Sequence, residues 1–144
     1  MKIKICAIGE CMMEFTNAKM ELYSQSIAGD TLNFASYLDK KIFDTSYFTA
    51  VGTSKISKRV ISFLKKQKIK TNLVSQISSH EIGLYLIENN KAGEKIFYYW
   101  RDNSAAKIFF NNRNIKKFKN QLEKFDYVYF SGITLSLFEN NNFH

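Results

Sequence analysis

The sequence predicts an α/β layer fold built around a parallel sheet. Strand-like and helix-like segments alternate up to about residue 70, and they alternate again towards the end. Such alternation is the pattern of strands linked by crossover helices. Between these parts lie two strand-like runs joined by a turn, which predicts a hairpin in a separate small sheet. The chain has 144 residues, 45% of them hydrophobic. That is enough for a single domain burying roughly two thirds of its unfolded surface. No internal repeat, low-complexity tract or linker divides it, so residues 1–144 read as part of one domain.

Each element follows from local pattern. Ile3 to Ile8 alternates and then turns continuously apolar, predicting a core strand that ends at Gly9. Met12 to Phe15 predicts a short second strand. Leu32, Ala35 and Leu38 recur at helical spacing, predicting a helix over Thr31–Lys41. Ser46 to Val51 reads as a strand stopping at Gly52. Val60, Ile61, Phe63 and Leu64 mark a second helix from near Ser57 to near Lys68. Its end is rich in lysine, which suits the negative end of the helix dipole. Leu73 to Ile77 is a short strand. Gly83–Glu88 and Lys95–Arg101 are strong strands, and Asn89–Glu94 is a turn-like link, giving the clearest hairpin. Phe118, Leu122 and Phe125 mark a third helical face. Tyr127 to Ser131 reads as a buried strand followed by Gly132. Such a strand belongs inside a sheet, yet only thirteen residues follow it. The fold therefore reads as incomplete at its C-terminus.

Composition narrows the function. The formal net charge is +8, but only Arg59, Arg101 and Arg113 are arginines, and the lysines are scattered. This reads as a compositional bias and not as a nucleic-acid-binding face. No apolar run reaches the ~20 residues that span a bilayer. The N-terminus lacks the pattern of a secretory signal. A cytoplasmic protein is expected. Cys6 and Cys11 are the only cysteines, and His80 and His144 lie far from them, so buried thiols are expected in place of a metal site.

Two segments carry chemistry. In a strand, Tyr99 and Arg101 share one face while Tyr98 and Trp100 share the other. A guanidinium held beside a phenol suits capture of a carboxylate or phosphate. The plain alternative pairs Arg101 with Asp102 or Glu94. In Ala28-Gly29-Asp30-Thr31-Leu32-Asn33, Gly29 lets a ligand approach the backbone, and Asp30 and Asn33 lie on one turn, placed to hydrogen-bond sugar hydroxyls. The alternative is that Asp30 or Thr31 caps the helix. Tyr85 lies on the strand that pairs with the Tyr99 strand, where it either packs or shares a pocket wall. There is no phosphate loop and no G-x-G-x-x-G segment. The two histidines offer no credible Ser-His-Asp or Cys-His arrangement.

Read in order, several segments resemble the PfkB (ribokinase-like) carbohydrate kinases. They are Ile8-Gly9-Glu10-Cys11-Met12-Met13-Glu14, Gly29-Asp30-Thr31-Leu32-Asn33, Thr49-Ala50-Val51-Gly52-Thr53 and Gly83-Leu84-Tyr85. Phe97-Tyr98-Tyr99-Trp100-Arg101 with Ala105-Ala106-Lys107, and Phe125 through Ile133, complete the set. Tyr-Tyr-Trp-Arg together with Gly-Asp-Thr-Leu-Asn is similar to the ketodeoxygluconate kinase branch. The resemblance implies a three-layer α/β sandwich with a small β lid, the hairpin of about 83–101 supplying lid strands. It implies transfer of the γ-phosphoryl group of ATP, with a divalent cation such as Mg²⁺, to the terminal hydroxyl of 2-keto-3-deoxygluconate. Gly29, Asp30, Thr31 and Asn33 would bind the sugar, Tyr85 and Tyr99 would line its pocket, and Arg101 would pair with its carboxylate. The lid of such kinases often also joins two copies in a homodimer. Where the family has Gly-x-Asp, this chain has Gly52-Thr53-Ser54, and Ser54 remains able to cap the next helix. The family's catalytic Asp and its ATP grip fall beyond His144, so no catalytic, ATP-binding or metal-binding residue is expected within the chain.

Overall fold

The computed structural model describes residues 1–19, 22–111 and 119–138. In chain order the elements are β1 (Ile3–Ile8), β2 (Met12–Lys19), β3 (Leu22–Ala28), α1 (Asp30–Tyr37), β4 (Phe43–Val51) and α2 (Lys55–Lys66). There follow β5 (Val74–Gln76), β6 (Gly83–Asn89), β7 (Lys95–Trp100), α3 (Ala105–Asn111), α4 (Lys119–Leu122), β8 (Tyr127–Tyr129) and α5 (Gly132–Leu135). One sheet has the order β5-β4-β1-β8, and the other β3-β2-β6-β7.

The first sheet is parallel throughout, with Ile3 opposite Phe43 and Ile8 opposite Phe48. Parallel sheets are covered on both faces, which is why β1 turns continuously apolar from Ile5 and β4 is buried without a break from Thr45 to Val51. On one face Cys6, Ile8, Phe48 and Ala50 meet Ala105, Ala106, Phe109 and Phe110 of α3. The rings of Phe109 and Phe110 stand edge-on to Phe48 at 5.6 and 5.8 Å. On the other face Ala7, Tyr47 and Val51 meet Leu32 and Ala35 of α1 and Val60 and Leu64 of α2. Both cysteines are buried free thiols, and burial pushes each up to about 12.

Helix α2 begins where Ser54 accepts a hydrogen bond from the Ser57 amide at 3.3 Å, so the Ser replacement does cap. It ends with Lys65 and Lys66 in its last turn. Lys68 then adopts φ 55° while its amide bonds back to Lys65 and that of Ile69 to Leu64. This left-handed turn favours glycine. Lys68→Gly is expected to raise stability by about 0.5–1 kcal/mol, since the left-handed strain on a side-chain-bearing residue outweighs the added chain entropy. A lower urea midpoint than wild type would contradict this.

One strand lies outside the sequence reading, and two expectations, the third helix and the Tyr127 strand, need correction. The Leu22–Ala28 strand has no strong apolar alternation and forms because β2 offers it an antiparallel partner from Met12 to Lys19. The hairpin lies, as expected, in a sheet separate from the parallel one, and there β6 also runs parallel to β2. The third helix is Ala105–Asn111, whose apolar face is completed by tertiary contacts, whereas α4 is one turn; Phe118 lies outside the described residues. Finally, the strand expected over Tyr127–Ser131 is three residues long and has Tyr127 and Val128 exposed instead of buried; it is the last strand of its sheet among the described residues, as an incomplete fold implies.

Candidate functional site

Strand β1 leaves the parallel sheet at Gly9, and the chain crosses to the second sheet through Glu10 and Cys11. A Cβ on Gly9 would lie 2.3 Å from Thr31 Oγ1, so only glycine lets α1 approach this crossing. Glu10 is the charge at the centre of the crossing, its side chain only 2% exposed. Arg101 Nη2 lies 2.6 Å from Glu10 Oε2, and Ser104 Oγ donates to Glu10 Oε1. A Cβ on Gly83 would be 2.8 Å from Glu10 Oε1, and one on Gly29 would be 2.5 Å from the Glu10 carbonyl oxygen. The start of β6, the end of β7 and the start of α3 thus converge on one buried carboxyl, while α1 starts against the Glu10 main chain. Burial raises its pKa above the ordinary carboxylate value, and Ser104, Arg101 and Lys107 pull it back only in part. No rule of periodicity singles out Glu10; the available signal is an acid directly after an apolar strand and a glycine.

The second sheet presents a polar row across all four strands. Register pairs Ser26 with Glu14, Glu14 with Tyr85, and Tyr85 with Tyr99, so the four side chains share a face. Ser26 Oγ donates to Glu14 Oε1 at 2.8 Å, and Tyr85 OH donates to Glu14 Oε2. Burial, followed by the Glu14 bond, raises the Tyr85 phenol well above its usual value, so it stays a donor. The Tyr85 and Tyr99 rings lie 5.7 Å apart. Arg101, two residues beyond Tyr99, falls on this face too, its Cβ next to Gly83. The sequence reading places Glu14 in the second strand without giving it a site role, because its partners Ser26 and Tyr85 are set by strand pairing and not by spacing along the chain.

Arg101 takes neither Asp102 nor Glu94 as partner. Asp102 pairs with Lys107 at 3.4 Å, and Arg101 pairs with Glu10 because the pairing of β2 with β6 and of β6 with β7 brings the end of β7 to the crossing after β1. Among the described residues the guanidinium has no other ion pair, and its side chain is 20% exposed. A cleft of about 360 Å³ opens beside it, bordered by Tyr99, Trp100 and Ser104.

At the other segment, Gly29 is the N-cap of α1 and no side chain caps the helix, so neither Asp30 nor Thr31 has the expected capping role. Asp30 is half-buried and Asn33 is exposed. Thr31 is fully buried, and its hydroxyl shares a 2.9 Å hydrogen bond with Tyr47 OH. Glu10 links the two segments: its carbonyl touches Gly29 and its carboxyl holds Arg101.

The pfkB family carbohydrate kinase model matches residues 2–143. The chain belongs to the pfkB family of carbohydrate kinases. Among its relatives, the 2-dehydro-3-deoxygluconokinase of Haemophilus influenzae is 38% identical over 143 residues, covering 96% of this chain and 46% of that protein. That of Dickeya dadantii is 36% identical over 137 residues, covering 92% and 44%. A solved Thermotoga maritima 2-dehydro-3-deoxygluconokinase superimposes with TM-score 0.81 at 20% identity, over 95% of this chain and 43% of that one. A Xylella fastidiosa fructokinase gives TM-score 0.67 at 16% identity, over 76% and 35%. These likenesses place the two sheets and their helices in the ribokinase-like fold. The chain spans less than half the length of the curated relatives it matches.

Among the described residues no three His, Cys, Asp or Glu side chains converge to hold a metal ion. No helix among them is long and apolar enough to cross a membrane.

Proposed function

We propose that this chain carries the sugar-acid-binding part of an ATP-dependent kinase acting on 2-keto-3-deoxygluconate, with 2-keto-3-deoxy-6-phosphogluconate as product. The observation that carries the reading is Arg101 on the same sheet face as Tyr85 and Tyr99, beside an open cleft. The names of the relatives point the same way. In this reading the substrate carboxylate takes the guanidinium edge that Glu10 leaves free. Tyr85 and Tyr99 form a wall under the sugar, while Asp30, Asn33 and the backbone at Gly29 take its hydroxyls. Thr31 contributes by fixing the start of α1 through Tyr47. The second sheet, with its 83–101 hairpin, is the lid, and exposed β7 is the surface through which two copies pair, to be seen as a dimer on sedimentation. ATP, its divalent cation and the catalytic Asp belong to the part of the fold that this chain does not span. Phosphoryl transfer rests on positioning and charge stabilisation at the γ-phosphoryl group, so no step is assigned to these residues beyond binding and orienting the sugar.

One observation favours a second reading. Glu10 already neutralises Arg101, as a clamp would in a kinase for a neutral sugar. Calorimetric titration of the protein with 2-keto-3-deoxygluconate and with fructose separates the two. Preference for the acid is expected; equal or stronger binding of fructose would sink the first reading.

A further inference from the structure

Glu10 is a buried carboxyl with one oxygen satisfied and one not. Ser104 Oγ donates to Oε1. Oε2 accepts no aligned hydrogen bond among the described residues, although Arg101 Nη2 lies 2.6 Å away. A buried oxygen left so is poorly stabilised as an anion. The other groups facing Glu10 give little help. β7 ends in Arg101, α3 brings Ser104 and Lys107, β4 brings Tyr47, and Cys11 follows in the crossing. β6 presents only Gly83, and Asp30 of α1 acts on Tyr47. Burial pushes the Cys11 thiol up to about 12 and the Tyr47 phenol well above its usual value, so both stay neutral. Two cations, Arg101 and Lys107, thus meet two carboxylates, Glu10 and Asp102. No positive charge is left over for a further anion at this junction.

We propose that an acidic sugar binding at Arg101 brings a proton with it, taken from solvent by Glu10 at Oε1. The inference rests on the sugar-acid reading above and adds how its charge is accommodated. A sugar carboxylate is ionised above about pH 4. Through the cleft beside Arg101 it would share one guanidinium with Glu10. Like charges so close, and poorly hydrated, do not both stay ionised. The sugar's carboxylate keeps water through the open cleft, whereas Glu10 has none, so the proton goes to Glu10. Burial already holds Glu10 above its ordinary value, closer to protonation than a surface glutamate. Ser104 can receive the new O–H, because a hydroxyl serves as donor or acceptor by rotating. Its Oγ accepts the Lys107 amide at 3.3 Å and keeps a second lone pair. Once neutral, Glu10 leaves the guanidinium fork to the sugar for a bidentate pair. A neutral sugar adds no charge and draws no proton.

The test is calorimetric titration with 2-keto-3-deoxygluconate, repeated at each pH in buffers of different ionisation enthalpy, which counts the protons taken up. Between about pH 5 and 8 an uptake reaching up to about one proton per sugar is expected, with Kd rising by up to about tenfold per pH unit. Fructose should bind without uptake. These measurements need no variant. In Glu10→Gln, which keeps an acceptor for Ser104, the uptake should vanish and Kd should become flat with pH. His80, with Nδ1 3.3 Å from the Asn103 carbonyl at the cleft, is unchanged in that variant. An uptake that persists there therefore belongs to another group and overturns the proposal. Binding of the acid with no proton uptake at any of these pH values overturns the coupling and leaves the sugar-acid reading standing. Failure to bind the acid, or no preference for it over fructose, overturns that reading and the coupling with it.

Discussion

Replacing Glu10 with Ala is expected to destabilise the protein by about 3 kcal/mol, the low end for breaking a buried ion pair. The low end applies because Arg101 keeps some contact with water, its side chain being 20% exposed. The loss has two sources. Arg101 is left charged without its counter-ion, and Ser104 loses the acceptor for its buried hydroxyl. Both groups hold the junction where β6, β7 and α3 meet α1, so the damage should appear as a cooperative loss in urea unfolding. An unchanged midpoint would show that the clamp contributes nothing. A second readout isolates the carboxyl itself. Its folded pKa is raised, chiefly by burial. A raised acid contributes stability that is fully present below its unfolded value, near 4.5, and lost as pH rises through the folded value. Wild type should therefore lose stability from about pH 4.5 upward relative to Glu10→Gln, which has no proton to give up. Parallel stability curves for the two proteins would mean that Glu10 does not titrate differently on folding.

Arg101→Ala is expected to weaken binding of 2-keto-3-deoxygluconate by about 10- to 150-fold while leaving a neutral sugar nearly unaffected. The figure is a charge-assisted hydrogen bond of roughly 1.5–3 kcal/mol expressed as a ratio of dissociation constants. Arg101→Lys keeps the charge but loses the planar fork, so it should recover only part of the affinity. Titrations belong well below the melting temperature, because the Ala variant also strands the Glu10 carboxyl. Burial then drives that carboxyl further towards its protonated form. If Arg101→Ala weakens both sugars equally, the effect comes from the loosened junction. If it weakens neither, Arg101 serves as a clamp for Glu10 and the acid-sugar reading fails.

How much of this is legible without the fold depends on whether the signal is local. β1, β4 and α2 can be read directly because apolar runs, helical spacing and the Ser54 cap are properties of neighbouring residues. The β6–β7 hairpin is legible for the same reason, and with it the placing of Tyr99 and Arg101 on one face. β3 is not legible, since its Leu-Tyr-Ser-Gln-Ser-Ile-Ala becomes a strand only when β2 supplies hydrogen bonds. Nor is α3, whose phenylalanines declare themselves as core only against Phe48.

The sequence by itself determines the α/β class, the hairpin, the motif order shared with the pfkB kinases and the presence of one arginine among aromatic residues. These rest on spacing along the chain. Only the tertiary structure decides what that arginine faces, because Glu10 and Arg101 are 91 positions apart and meet through the pairing of β2 with β6 and of β6 with β7. It likewise decides that Thr31 spends its hydroxyl on Tyr47, that Glu14 joins the tyrosine row, and that β8 lies at an edge. Each of these depends on which strands become neighbours, and neighbours are chosen by burying apolar faces across the whole chain, not by any pattern within a segment.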